Sequence, residues 1–335
     1  MIVRLALVAL LLVCSLSANA QFNAGAYGTL DLSYGRFELS GQTRENRTNS
    51  NSLSASFVGV DARYGLPAGW TTGINLETFI RFQDQNYGRN DNDKFLSRNN
   101  FVSLANADYG LARIGRLQTY LFETTVRFNA FGNSTGFSPA LRQIFLSGAI
   151  ESVQGDFYWD RAISYSTPRV AGLQGSFMYS LGKGDQRGDY MGSSIVYSRG
   201  LFAAAVSAQR VHVNDGIADP TNETTWQADA TYNFGFAALF AQYTNLNDTG
   251  LDALSRMGTA GVSVPFGPGK VLAQIAQSKT TGPAVDRKHT TTSLGYVYQY
   301  DSVTDFYILG GDDRVRNQTR GESYAVGVRY QFDLH

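Results

Sequence analysis

The chain has 335 residues, in which 28 Lys+Arg balance 28 Asp+Glu, with 35 Gly, 19 Tyr and 21 Phe against only 7 Pro and 4 Met. That balance leaves no global basic field for nucleic acid and no acidic solvating tail, and a single cysteine excludes a disulfide framework and thiolate metal sites. A composition rich in Gly and aromatics suits many short strands separated by polar loops.

At the N-terminus, Arg4 is followed by the apolar run Leu5 to Val13 and then by Ala18-Asn19-Ala20. This pattern predicts a secretory signal peptide over residues 1–20. Cys14 lies inside it, and Val13 is too large for the small residue of a lipoprotein signal. One domain is expected from 21 to 335. Beyond the signal there is no apolar run of the ~20 residues that a membrane-spanning helix needs, so a helical membrane protein is excluded.

From residue 21 onward, short and long connections take turns. Polar stretches centred near Gly41, Gly88 and Gly132 precede tight turns at Leu66-Pro67-Ala68-Gly69, Asn106 to Gly110 and Pro168 to Gly172. Stretches near Asp185 and Gly216 precede Ser198-Arg199-Gly200 and Asn233-Phe234-Gly235. Those near Asp248 and Pro283 precede Pro265 to Gly269 and Tyr300 to Thr304, and one near Asn317 comes last. Seven tight turns and eight long loops join sixteen strands. Strict alternation places all turns at one end and all loops at the other, as in an up-and-down meander.

Within the strands the period is two. Trp226, Ala228, Ala230, Tyr232 and Phe234 alternate with Gln227, Asp229, Thr231 and Asn233, and Leu294, Tyr296, Tyr298 and Tyr300 alternate with Ser293, Gly295, Val297 and Gln299. Near the C-terminus Tyr324, Val326, Val328, Tyr330 and Phe332 share one face, with Arg329 on the other. Sixteen strands in one meander are too many for an open twisted sheet, so closure is expected. About 20 residues per strand with its connection suits a strand of ~10 residues tilted across a bilayer. In lipid every backbone polar group must be paired within the protein, so the last strand must bond to the first. A propeller would need blade-like repeats, and no such period is visible.

From Ala26-Tyr-Gly-Thr-Leu-Asp31 through "GWTTGINLETFI", "FLSRNNFVSL", "YGLARIGRLQTY", "ISYSTPRVAGLQGSFMYSLG" and "ATYNFGFAALFAQY" to the closing strand, the chain resembles the general porins of Gram-negative outer membranes. The resemblance is to the proteobacterial sixteen-stranded trimeric type. It implies an all-β transmembrane antiparallel barrel with its third loop folded into the lumen. It also implies a water-filled channel for passive diffusion of small hydrophilic solutes and ions, exported through the periplasm. A homotrimer in contact with outer-membrane lipid and lipopolysaccharide is expected, because the wall from Ala26 to Leu117 is poorer in large outward aliphatics than the later strands, with Gly28, Thr72, Thr78 and Asn99 or Asn100 near the outward side. Such residues suit a subunit interface better than lipid. The chain departs from the family at Phe57, where a barrel arginine usually stands, and in carrying Asp333-Leu334-His335 beyond the usual terminal Phe.

The loop from about Gln118 to Asp156 is read as a long structureless connection, and segments of that length are usually functional. The resemblance makes it the constriction loop. At its tip Asn129 and Ala130 stand where relatives carry carboxylates, and the nearest charges are Glu123 and Arg127. On the wall, inward parity selects Asp61, Arg63, Glu77, Arg81 and Arg113, while Arg98 holds the "SRNNF" position and Arg116 either lines the pore or holds a latch loop. The pore set is therefore Arg63, Arg81, Arg98, Arg113, Arg116, Glu123 and Arg127, any of which has the plain alternative of a solvated lumen residue. Loss of loop carboxylates predicts weak anion selectivity, with Arg98, Arg81 and Arg127 the main contributors and Glu123 the counterweight.

His212, His289 and His335 have no nucleophile motif around them, so neither catalysis nor a metal or cofactor is expected. A substrate-selective channel of the same fold is the alternative. An outer-membrane hydrolase or adhesin is a further one from another class.

Overall fold

A computed structural model describes residues 21–147, 151–181, 189–213 and 221–335. The predicted signal peptide and the loop centres near Asp185 and Gly216 lie outside the described residues. Strands β1 (Phe22–Phe37), β3 (Phe57–Gly65), β4 (Thr71–Arg81), β6 (Asn100–Asn106), β7 (Gly110–Gln118) and β8 (Tyr158–Ser166) form the first part of the wall. Then come β9 (Leu173–Ser180), β10 (Tyr190–Arg199), β11 (Phe202–Val213), β12 (Thr221–Asn233) and β13 (Ala238–Asp248). The wall ends with β14 (Ala253–Phe266), β15 (Gly269–Gly282), β16 (Val285–Gln299), β17 (Thr304–Val315) and β18 (Gly321–Asp333). The short pieces β2 (Glu45–Asn49) and β5 (Asn86–Tyr87) lie in the first two loops.

Each of these sixteen wall strands pairs antiparallel with its neighbours, and β1 pairs with β18 from Tyr27↔Asp333 to Arg36↔Tyr324. The sheet is a closed sixteen-stranded barrel without an edge, as the hydrogen-bonding demand of the bilayer requires. All seven predicted tight turns are present. Burial follows the period: Glu223, Thr225, Gln227 and Asp229 are buried in the lumen while Trp226 and Tyr232 face outward. On the closing strand Ala325 is buried and Tyr324, Val326 and Tyr330 are exposed.

Two expectations about the loops are corrected. The stretches near Asp248, Pro283 and Asn317 are not long loops: the strands run on to leave residues 249–252, 283–284 and 316–320 as connections. Polar residues such as Lys279, Lys288 and Arg314 read as loop, yet above the bilayer both faces of a strand meet water, so the ladder continues through polar sequence. The segment from Gln118 to Asp156 is not structureless either. It holds a helix, Tyr120–Arg127, and a second helical stretch from Pro139 through Leu146. Thr119 caps the first by accepting from Phe122 N at 3.3 Å, and Ser138 caps the second by accepting from Leu141 N at 3.3 Å.

The wall from Ala26 to Leu117, expected to be poorer in large outward aliphatics than the later strands, exposes Ile74, Val102, Leu104 and Ile114. Its polar residues have local partners. Thr78 donates to Phe95 O, Asn100 accepts from Glu77 N at 2.9 Å, and Asn99 accepts from Gln118 N at 3.0 Å.

Candidate functional site: the lumen and its third loop

The third loop is held against the inside of the wall along its length. In the first helix, Thr124 Oγ1 meets Ser207 Oγ at 2.9 Å, and Gln242 Nε2 donates to Thr125 O at 3.1 Å. Beyond it, Phe131 and Phe137 pack with Leu53, Leu272, Val297, Tyr307 and Leu309. In the second helical stretch Gln143 Nε2 donates to Thr291 Oγ1 at 3.0 Å. Asn129, taken from the sequence as the loop tip, is buried and works within the turn. Its Nδ2 donates to the Thr125 and Gly132 carbonyls at 2.8 and 2.9 Å, and its Oδ1 accepts from Phe131 N at 2.9 Å. Ala130 is pressed toward the wall at Gly261.

The first loop contributes as well, which parity alone does not reveal. Residues 50–56 turn into the barrel, where Asp31 accepts backbone N–H groups of Ser52, Leu53 and Ser54 at 3.1–3.2 Å and the Tyr307 hydroxyl at 2.8 Å. Ser134 donates to Ser52 O, and Gly136 N donates to Asn51 O at 3.1 Å, so the two loops are stitched together. The run of small polar residues in "SNSLSAS" is the only sequence signal for this. Above the loops lies a cavity of about 1450 Å³, lined among others by Glu38, Arg47, Arg89, Lys94, Arg116 and Arg142.

Most of the charged residues selected by sequence are paired. Arg98, its side chain 12% exposed, binds Glu77 and stacks on Phe57 with its Cζ 3.8 Å from the ring centroid. Phe57 thus replaces a wall arginine with a seat for another. Glu77 also accepts the Tyr27 hydroxyl at 2.7 Å. Arg81 meets Asp84 at 3.2 Å and Asp91 at 2.5 Å. Arg116 lies at a bulge in β7 and meets Asp156 at 2.6 Å and Asp160 at 2.8 Å. Arg63 and His335 share Asp61, at 3.0 and 2.6 Å. Leu334 N donates to Ala26 O at 2.9 Å, so the extra C-terminal residues continue along β1.

Four charges in the lumen are less committed. Arg113 donates to the Tyr120 hydroxyl at 3.2 Å and lies 3.9 Å from Glu123, whose side chain is 38% exposed. Arg127 is exposed, makes no ion pair among the described residues, and has another cation, Arg169, as its electrostatic neighbour. Lys270, which the sequence survey overlooked, follows inward parity on β15 and has Arg329 and Asp305 as its charged neighbours.

A model of the Gram-negative porin family matches residues 6–318. The chain belongs to that family. This porin is therefore an outer-membrane channel protein. Its fold is similar to that of an anion-selective porin from Comamonas acidovorans, with a TM-score of 0.79, 22% identity and coverage of 93% of this chain and 100% of the other. It is similar also to in-vitro folded OmpT of Vibrio cholerae in its trimer form, with a TM-score of 0.68, 15% identity and coverage of 93% and 100%. Salmonella typhi OmpF in complex with daunomycin matches with a TM-score of 0.66, 13% identity and coverage of 93% and 97%. No curated protein sequence matches the chain.

Where the third loop of this porin returns to the rim, it is fastened by a charged cluster. His289 Nδ1 lies 3.0 Å from Glu151 and its Nε2 lies 2.8 Å from Asp313. Arg287 meets Glu151 at 2.9 Å, and Arg142 meets Asp313 at 3.5 Å. Outward neighbours Lys288 and Thr290 are polar, which places this level above the membrane. Burial alone would lower the His289 pKa, but its bonds to Asp313 and Glu151 outweigh that and raise it. Burial opposes ionisation of Glu151 and Asp313 too, yet their partners hold both below the usual carboxylate range. Nearby, Gln154 N donates to both oxygens of Glu223 at 3.0 and 3.1 Å, and burial pushes Glu223 up to about 8. Inward parity of His289, Thr291 and Asp313 was visible in the sequence, but their partner Glu151 was not.

Proposed function

We propose that this porin passes small hydrophilic solutes and ions by passive diffusion, with a weak preference for anions. The observation that carries the preference is Arg127 on the constriction loop, exposed and without a carboxylate partner among the described residues. Glu77 and Asp61, the acids that parity set against the arginines, are each neutralised by a cation. That leaves Arg127 and Lys270 as the cations nearest to acting alone, opposed by Glu123, which shares its field with Arg113. Arg63, Arg81, Arg98 and Arg116 then act as wall residues whose charge is largely cancelled locally. Mobile ions screen within ~10 Å at 0.1 M salt, so only charges at the narrowing count.

The functional unit is a single barrel from 21 to 335 after removal of residues 1–20, assembled as a homotrimer through the wall around β3, β4, β6 and β7. The trimer form of the similar Vibrio OmpT supports that assembly. Outer-leaflet lipid, including lipopolysaccharide, covers the rest. Reversal potentials across a planar bilayer under a KCl gradient test the preference. Arg127→Ala should move the zero-current potential toward cation preference. A wild-type channel that is already strongly cation-selective at low salt would overturn the assignment, and a strictly monomeric mass in mild detergent would overturn the trimer.

A further inference from the structure

The residues that follow Phe332 put an ionisable group into one mouth of the channel. Tyr27 on β1 lies opposite Asp333 on β18, and Gly25 lies opposite Asp61 on β3. Leu334 extends the ladder by donating to Ala26 O, so His335, on the inward parity of Arg329 and Asp333, falls beside Gly25. Only a glycine fits at that point, because a Cβ on Gly25 would collide with the His335 ring. The ring stacks on Tyr27 with centroids 6.1 Å apart, its Nε2 lies 2.6 Å from Asp61, and its Nδ1 meets Asp333. Gln331 N donates to Val303 O in the neighbouring tight turn. The cluster therefore stands at the short-turn end of the barrel, which is the periplasmic one.

Few charged groups face His335. β3 supplies Asp61 with its partner Arg63, and β18 supplies Asp333. β1 supplies Tyr27, whose hydroxyl is given to Glu77, and Glu77 in turn holds Arg98. With His335 as imidazolium, Asp61 and Asp333 are balanced by Arg63 and His335; with neutral imidazole, one carboxylate is left over. Asp333 has a side chain 73% exposed, so the surplus charge meets the water of the channel mouth. Only the imidazolium can donate to both carboxylates. The bond to Asp333 raises the His335 pKa, and the bond to Asp61 adds to it against a smaller opposing effect of burial. The balance is complete below the ordinary value near 6.5 and is lost as pH rises through the raised value.

We propose that His335 is a selectivity-determining residue of the channel, a cation that cancels the acids of the periplasmic mouth and keeps that mouth from favouring cations. This rests on the proposed diffusion channel. The test is the reversal potential across a planar bilayer under a shallow KCl gradient, read at pH 6 and pH 9 for wild type, His335→Gln and His335→Lys. One unit charge about 10 Å from the ion path changes the cation-to-anion permeability ratio about two- to threefold at about 10 mM salt, where the Debye length is about 30 Å, and hardly at all at about 1 M. At pH 6 His335→Gln should therefore exceed wild type in that ratio about twofold, and at pH 9 the two should coincide. His335→Lys should match wild type at pH 6 and stay about twofold below it at pH 9. Because His289 and Glu223 titrate in the same window, the comparison between variants at one pH is the readout. Equal potentials for wild type and His335→Gln at pH 6 would overturn the proposal. So would a lysine variant that follows the glutamine one at both pH values, since packing on Gly25 and not charge would then be the role of this side chain. A cation-selective wild type that still shifts with His335→Gln would count against the anion preference alone, whereas an anion-selective wild type without that shift would count against His335 alone.

Discussion

Raising the pH should loosen the constriction loop at its rim anchor. Both ring nitrogens of His289 face carboxylates, at 3.0 Å to Glu151 and 2.8 Å to Asp313, and only the imidazolium can donate to both. Because its pKa is raised when the loop is docked, its stabilisation is full below the ordinary value near 6.5 and is lost as pH rises through the raised value. Glu223 acts in the same direction. With its docked pKa pushed up to about 8 by burial, the docked loop holds a proton that a released one gives up, so docking weakens between the ordinary carboxylate range and about 8. Losing one charge-assisted hydrogen bond at His289 costs about 2 kcal/mol, or a roughly 30-fold shift toward release. Arg287–Glu151 and Arg142–Asp313 persist, so the loop should flicker rather than leave. Single-channel recordings should show brief conductance fluctuations rising about 10- to 30-fold in frequency from pH 6 to pH 9. His289→Ala should already fluctuate more often at pH 6 while keeping the part of the pH dependence that Glu223 supplies, and combined with Glu223→Gln should lose the pH dependence. An unchanged pH profile in that double variant would refute the latch.

Other outcomes follow from the pairing in the wall. Arg98→Ala leaves Glu77 buried without its guanidinium, which should destabilise the barrel by about 3 kcal/mol and lower the temperature at which the folded band disappears on gels. It should also move the zero-current potential toward cations, since a carboxylate is released; a variant of wild-type stability would show that Glu77 has other partners enough. Gly115 sits at the β7 bulge with φ +146°, and a Cβ there would lie 2.2 Å from Asn100 O. Gly115→Ala should therefore cost about 1–3 kcal/mol of strain, read as a lower denaturant midpoint, and an unshifted midpoint would mean that the bulge can relax.

The barrel could be read from residues alone because its constraint is local and repeats along the chain. Lipid outside and water inside impose a period of two on every strand, and Tyr324 to Phe332 or Trp226 to Phe234 display it without reference to anything distant. The tight turns were equally plain, since Leu66-Pro67-Ala68-Gly69 or Pro265 to Gly269 carries its own turn chemistry. Loop lengths at the other end were not plain, because polar residues in extended strands and in loops look alike once both faces of the sheet are wet, as around Pro283. The site depended on the tertiary structure for another reason. Whether an inward charge is free is decided by partners far along the chain. Glu151 reaches His289 across 138 residues, and Asp31 takes the Tyr307 hydroxyl across 276. Parity placed Glu77 on the wall and the family resemblance placed Arg98 there, but neither could tell that they meet over Phe57. It also gave no sign that the serine-rich return of the first loop enters the lumen to join the third. Closing the sheet brings β1 beside β18 and fixes which inward groups face each other, and no periodicity in the sequence encodes those cross-lumen contacts.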